Sequence, residues 1–437
     1  MLASPRLVTR DRRRFFRFSR CALLGLAGIA LSSRAGATPT SLFGAGPQST
    51  ALAGGGTSLP LGAEATLVNP AELAESPSKE LTFGLAASSF SLSYDTAEGR
   101  QPFEAELFKA VMIGVVAPLT APDPNGIRAA LGLFAETPPD YLVRAHAPFP
   151  EETSFPLIVD RSGALDLGVG LGIGYRQFSF GLGVEVLAAL RGKQSVGVSA
   201  TAPAGVGTEL FPAWAPAFGF GVDLGEIGQL GLAFRSVLRA DFNVDVPAPN
   251  LSGLQIAPLN IEGVAHYEPL KLDAELSRAF GDFRAVLGAR YERWSDFPGW
   301  VTATVQCPAG VSCGTPEPAP SRYSDVIVPR LGLEAAVHAR PVELTLRGGY
   351  AFAATPVPEQ TGFGNSFDAS RHGFAVGYRV GFAGHVLPLH LDGALRLDWL
   401  APRTHEKEGA AAQGPFGPTV TTHGTVLTWI FGVGVEL

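Results

Sequence analysis

Hydrophobic and polar positions alternate along most of this chain. From His423 to Leu437, residues His423, Thr425, Leu427, Trp429, Phe431, Val433, Val435 and Leu437 fall on one face of an extended segment. Gly424, Thr428, Gly432, Gly434 and Glu436 fall on the other. A period of two, with an apolar and aromatic face opposed to small and polar residues, marks a β-strand lying between two unlike media. Leu165, Leu167, Val169, Leu171, Ile173 and Tyr175 repeat the pattern against Asp166, Gly168, Gly170, Gly172, Gly174 and Arg176. After a tight turn, Phe178, Phe180, Leu182, Val184 and Val186 continue it against Ser179, Gly181, Gly183 and Glu185.

Segments of this kind predict fourteen strands, near 81–95, 107–119, 127–136, 164–176, 178–191, 212–224, 228–244, 258–280, 282–297, 325–338, 341–354, 371–385, 388–401 and 421–437. Glu268-Pro269 interrupts the eighth of them. Long connections such as 137–163, 192–211, 298–324 and 402–420 alternate with short ones such as Arg176-Gln177. An even strand count, a long-short loop rhythm and a polar face made mostly of Gly, Arg and Asp point to an all-β transmembrane antiparallel β-barrel, with lipid outside and a wet lumen inside. A β-sandwich also alternates but lacks that rhythm. Long loops then lie outside the cell, and both mature termini lie in the periplasm.

Composition narrows the setting. Residues 1–37 have the form of a signal peptide: Arg12, Arg13, Arg14, Arg17 and Arg20, an apolar run from Cys21 to Leu31, and Ala35-Gly36-Ala37 as the cleavage site. No segment offers the roughly twenty apolar residues of a membrane helix. The leader carries eight Arg and one Asp, so the formal charge of −7 becomes about −14 in the mature chain, which argues against a nucleic-acid partner. Cys307 and Cys313 alone remain after cleavage and are expected to form a local disulfide in an exported loop. The expected setting is the outer membrane of a Gram-negative bacterium, with lipid, lipopolysaccharide and the barrel-assembly machinery as surroundings and a monomer as the state.

Between the leader and the first strand, residues 38–80 are rich in Gly, Ala and Ser and show no period of two. A barrel of this size has a lumen wide enough to need filling, so this segment is expected to be a plug, or hatch, inside a barrel of residues 81–437. Gly44-Ala45-Gly46, Ala51-Leu52-Ala53-Gly54-Gly55, Ala63, Ala65 and Asn69-Pro70-Ala71 with Leu73 resemble the hatch of the FadL/TodX/OmpP1 outer-membrane transporters of hydrophobic compounds. Tyr291 with Trp294-Ser295-Asp296-Phe297 extends the resemblance. So do Leu344 to Tyr350, Pro356-Val357-Pro358, Asp368, Arg371-His372 and Gly377-Tyr378. The resemblance implies passive passage of fatty acids or hydrocarbons, with exit sideways through a gap where the third strand kinks. Asn69, Pro70 and Ala71 would touch that kink, and Gly132 is the expected break. The terminal Leu437 departs from the Phe that usually ends such barrels.

Strand parity points Arg176, Arg235, Arg239, Arg347, Arg379 and Arg396 into the lumen as candidate ligands for a carboxylate. It also points Asp166, Glu185, Asp223, Asp241, Glu343, Asp392 and Asp398 inward, so mutual pairing is the competing account. The Gly168 to Gly174 run lies within a strand and is no nucleotide loop. His385 and His390 lack metal-ligand spacing, and no Gly-x-Ser-x-Gly elbow occurs. No cofactor, metal or catalytic role is expected; a hydrolase would show a Ser or Asp with His at the loop rim. The competing function is an anchor or shuttle for secreted proteins on the same barrel.

Overall fold

The computed structural model describes residues 40–121, 123, 125–139, 152–159, 166–195, 205–246, 250–251, 254–255, 259–299, 301–305, 322–339, 342–382 and 388–437. The expected leader, residues 1–37, and the cysteines Cys307 and Cys313 lie outside the described residues.

Fourteen antiparallel strands close on themselves. They are β1 (Glu80–Thr96), β2 (Gly99–Phe103 and Phe108–Pro118), β3 (Ile127–Thr137), β4 (Asp166–Tyr175), β5 (Phe178–Ser195), β6 (Gly205–Asp223) and β7 (Gln229–Arg235 and Leu238–Val246). The circuit continues with β8 (Leu259–Glu268 and Leu270–Phe280), β9 (Phe283–Arg293 and Val301–Val305), β10 (Val326–Ala339), β11 (Val342–Ala353), β12 (Arg371–Phe382), β13 (Leu389–Glu406) and β14 (Thr419–Glu436). β1 completes the ring by pairing with β2 on one side and β14 on the other. Closure leaves no edge strand, which a lipid solvent requires.

Alternation sets the two faces. In β4 the glycines from Gly168 to Gly174 are buried, while Val169, Ile173 and Tyr175 are exposed outward. Parity holds only while the ladder is regular. Arg176 sits in the β4–β5 turn with a positive φ of 52° and is exposed, not lumenal. In β7 the chain breaks at Ser236-Val237, where the Ser236 N–H bonds the Pro216 carbonyl. Beyond that break Leu238 is buried and Arg239 exposed, the reverse of the expected facing. The Pro269 interruption of β8 is where expected, and the register there still yields one wall strand.

Residues 40–79 lie within the wall as short helices: α1 (Thr40–Phe43), α2 (Pro47–Ala51) and α3 (Ala65–Val68), with 3-10 turns at Gly62–Glu64 and Pro70–Glu75. None is long enough to be stable alone; burial against the wall holds them. Their seat is the glycine face of the neighbouring strands. A Cβ at Gly172 would stand 2.6 Å from Ala74 N and 2.7 Å from Pro70 O, and Gly181, Gly219 and Gly231 likewise meet plug backbone. The lumenal glycines therefore admit the plug rather than lining open water.

Candidate functional site

Two chambers flank the plug. On the side of the long loops, Trp294 and Phe297, between the two segments of β9, pack with Tyr267 of β8 and with Tyr323, ring centroids of Phe297 and Tyr323 lying 4.7 Å apart. Val326 and Val328 of β10, Ala351 of β11 and Leu157 join this buried cluster. A second apolar cluster runs without interruption from Leu42 and Phe43 of the plug to Phe155 and Phe367 of the outer loops. Between plug and loops the free space is a cleft of about 50 Å³, bordered by Leu42, Ala53, Leu157, Trp294, Val328 and Arg371. That volume is far below the hundreds of Å³ of a working ligand site; the chamber is shut.

The loops above it are tied down. Phe155 stacks edge-on against Phe103 at 5.1 Å, and Ser154 and Ser366 form a bridge. Lys407 Nζ donates to the carbonyls of Gly362 and Gly364 and to Asn365 Oδ1. A buried ammonium with three acceptors is satisfied and fixes the 362–365 turn.

The lumenal charges are mostly paired. Arg379 grips Asp392 with both ends of its fork, at 2.8 and 3.0 Å. Arg396 does the same with Asp398, at 2.8 Å twice, and Arg347 Nε donates to Glu334 at 2.8 Å. Arg235 donates to the Val68 carbonyl of the plug and lies 4.0 Å from Glu185. Arg176 lies in the β4–β5 turn and Arg239 at the exposed part of β7. None of the six candidates is thus a free lumenal cation. Two unforeseen arginines, Arg290 and Arg330, both donate to Asp273 Oδ1 at 2.8 Å. Their convergence depends on the β8–β9–β10 register, which no local pattern encodes. The exception is Arg371, at the start of β12. It borders the upper cleft and makes no ion pair or hydrogen bond among the described residues; its influence on Asp368 is electrostatic only.

The plug is anchored on two sides. Glu275 of β8 accepts the Gly56 N–H at 2.8 Å and the Ser58 N–H and hydroxyl at 2.9 Å each. Asn69 caps the Pro70–Glu75 turn by accepting the Ala71 N–H, and its amide donates to Thr57 O and to Phe220 O of β6. Pro70 and Ala71 lie against glycines of β4, β5 and β6. Gly132 of β3 is met by Thr66 and Leu73. β3 pairs with β2 over Ala130–Thr137 and with β4 over Ile127–Glu136, through Gly132 on both sides and with no register shift, so the expected break does not fall at Gly132. Near β3 the wall is interrupted in β2. Glu104 to Leu107 leave the ladder with β1, and β3 ends at Thr137 opposite Val111.

Below the plug lies a polar cavity of about 840 Å³, lined among others by Glu72, Glu75, Arg128, Arg176, Asp123 and Asp223. Arg128 bonds Glu75 at 2.6 Å and the Arg176 carbonyl at 3.0 Å, latching the plug's end to the β4–β5 turn. Burial, reinforced by Glu75 and Glu275, pushes the Glu72 carboxyl up to about 8. Among the described residues no group of His, Cys, Asp and Glu is placed to hold a metal ion.

No family model and no curated protein sequence matches the chain. Solved structures share its fold. A Pseudomonas aeruginosa FadL homologue superposes with a TM-score of 0.58 at 15% identity, over 89% of this chain and 97% of its own. The P. putida toluene transporter TodX gives 0.55 at 15%, over 91% and 99%. The Ralstonia pickettii toluene transporter TbuX gives 0.51 at 14%, over 90% and 98%.

Proposed function

We propose that this barrel is a passive outer-membrane channel for apolar molecules bearing one anionic head group, of which long-chain fatty acids are the plainest case. The carrying observation is Arg371: a guanidinium with no ion pair or hydrogen bond among the described residues, felt by Asp368 only at longer range, beside an apolar, aromatic chamber whose other arginines are paired. An unpaired cation there is costly unless it meets an anion, and its fork fits a carboxylate. The toluene transporters of like fold support an apolar cargo. The continuous apolar path from outer loops to plug favours conduction over a role as an anchor for secreted proteins.

In this reading the cleft of about 50 Å³ is a resting state, which both the outer loops and the plug must leave to admit cargo. Exit is proposed to be sideways, where residues Glu104 to Leu107 of β2 lie outside the ladder with β1. Phe43 of the plug packs there on Phe108 at 6.0 Å, so plug movement and opening of the wall are coupled. Binding of oleate and of oleyl alcohol to purified wild-type and Arg371→Ala barrels tests the reading. A lost charge-assisted hydrogen bond is worth about 1.5–3 kcal/mol, so oleate affinity should fall roughly 10- to 100-fold with the alcohol unchanged. Equal effects on both ligands, or none on oleate, would overturn the assignment.

A further inference from the structure

The lipid-facing surface carries a second constellation, far from the lumen. On β1 the outward residues Leu81, Phe83 and Leu85 are apolar and exposed, and above them the same face turns to Ser89, Ser91, Ser93 and Asp95. Leu92 is buried and Tyr94 stacks inward on Phe367 and Phe416, which fixes the outward parity of Ser93 and Asp95. His423 of β14 stands directly opposite Ser93 in the register. Exposed Trp399, opposite Thr425, lies just below on the outer face and exposed Trp429, opposite Ala87, further down; aromatic residues in such a belt mark the head-group level of a bilayer. A bilayer whose head groups met Trp399 would bring its outer leaflet's ester linkages to the cluster.

We propose that Ser93, His423 and Asp95 form a nucleophile, a general base and an orienting carboxylate that hydrolyse acyl esters of outer-leaflet lipids. Ser93 Oγ lies 3.2 Å from His423 Nδ1 and 3.4 Å from Nε2, and Nε2 lies 3.1 Å from Asp95 Oδ2. An ionised carboxylate only accepts, so Asp95 places the ring proton on Nε2 and leaves Nδ1 bare to take the proton of Ser93. The two ring nitrogens exchange the partners they have in serine proteases, but the logic of base and orienter is the same. Arg100 of β2 holds Asp95 through Nε at 3.0 Å, and its terminal nitrogens have no partner among the described residues. They are the cationic groups available to balance an oxyanion.

The step balances without a co-reactant other than water. Ser93 Oγ forms a bond to the ester carbonyl carbon while His423 takes the hydroxyl proton. The tetrahedral intermediate breaks its bond to the alcohol oxygen, which leaves with that proton. Water, deprotonated by the same imidazole, then cleaves the acyl-serine, giving a fatty acid and free Ser93. No lumenal residue takes part, so the proposal stands independently of the channel reading.

The test uses the full barrel in detergent and in phosphatidylethanolamine vesicles, exposed to a fluorophosphonate probe and, separately, to a fluorogenic phospholipid ester. Wild type should yield a phosphonylated Ser93 peptide by mass spectrometry and a measurable hydrolysis rate. Ser93→Ala and His423→Ala should abolish both, and Asp95→Asn should slow hydrolysis about 10²- to 10⁴-fold. Heat-modifiable mobility confirms that each variant is folded. Absence of label on folded wild type, or hydrolysis unchanged in Ser93→Ala, overturns the proposal.

Discussion

Replacing Gly172 by Ala should unseat the plug while leaving the wall intact. The new Cβ would stand 2.6 Å from Ala74 N, 2.7 Å from Pro70 O and 2.9 Å from Leu73 Cβ, against an ordinary contact of 3.4 Å or more. Two of those atoms are backbone, so the Pro70–Glu75 turn must retreat by about 0.8 Å, and no side chain can swing clear in its place. Overpacking of this kind costs about 1–3 kcal/mol. The β3–β4–β5 ladder needs no rearrangement, because the methyl points into the lumen. The strain falls on the plug, whose anchors to β6 and β8 are hydrogen bonds of modest net worth. Planar-bilayer conductance should rise and protease should cut within residues 40–79 faster, with heat-modifiable mobility unchanged. Gly362→Ala, where no atom lies within 4 Å, is the control and should behave as wild type. A Gly172→Ala barrel with wild-type conductance and wild-type protease resistance would refute the seating argument.

Glu275→Ala removes three acceptor contacts from plug donors and should loosen the plug by about 1–3 kcal/mol for each buried donor left unpaired, read as faster proteolysis of the plug. Arg379→Ala leaves Asp392 buried without its bidentate partner and should lower the barrel's thermal midpoint, with Arg379→Lys rescuing it only in part. Burial raises the Glu72 carboxyl from 4.5 to about 8. The seated plug thus holds a proton that a solvated Glu72 releases, and its contribution is full below pH 4.5 and lost as pH climbs through about 8. Plug proteolysis should therefore accelerate from pH 5 to pH 9 in wild type and stay flatter in Glu72→Gln; the opposite slope would contradict the assignment. The expected Cys307–Cys313 bridge is checked by mass spectrometry of the barrel isolated from membranes, where neither thiol should be free.

The wall was legible because a barrel strand writes its two solvents into a period of two. The split seventh, eighth and ninth strands each still came out as one. Parity failed where the backbone leaves the ladder, as at Arg176 in its turn and at Leu238 and Arg239 beyond the Ser236-Val237 break. The periodic glycines were visible, but not that plug backbone rests on them, since that depends on packing between segments a hundred or more residues apart. The same distance hid the Asp273 pairing with Arg290 and Arg330, and the apposition of Ser93 and His423, 330 residues apart. Arg371 stood in the stretch resembling the hydrophobic-compound transporters, yet only the pairing of its competitors singled it out.

The central claim is conduction of apolar, head-grouped molecules. Its most direct test is uptake of radiolabelled oleate by outer-membrane-bearing cells that lack their own fatty-acid channel, with and without this barrel. The account predicts saturable uptake above background that depends on the barrel and weakens in Arg371→Ala. Uptake no faster than in cells without the barrel, with the folded protein present in their outer membrane, would contradict it.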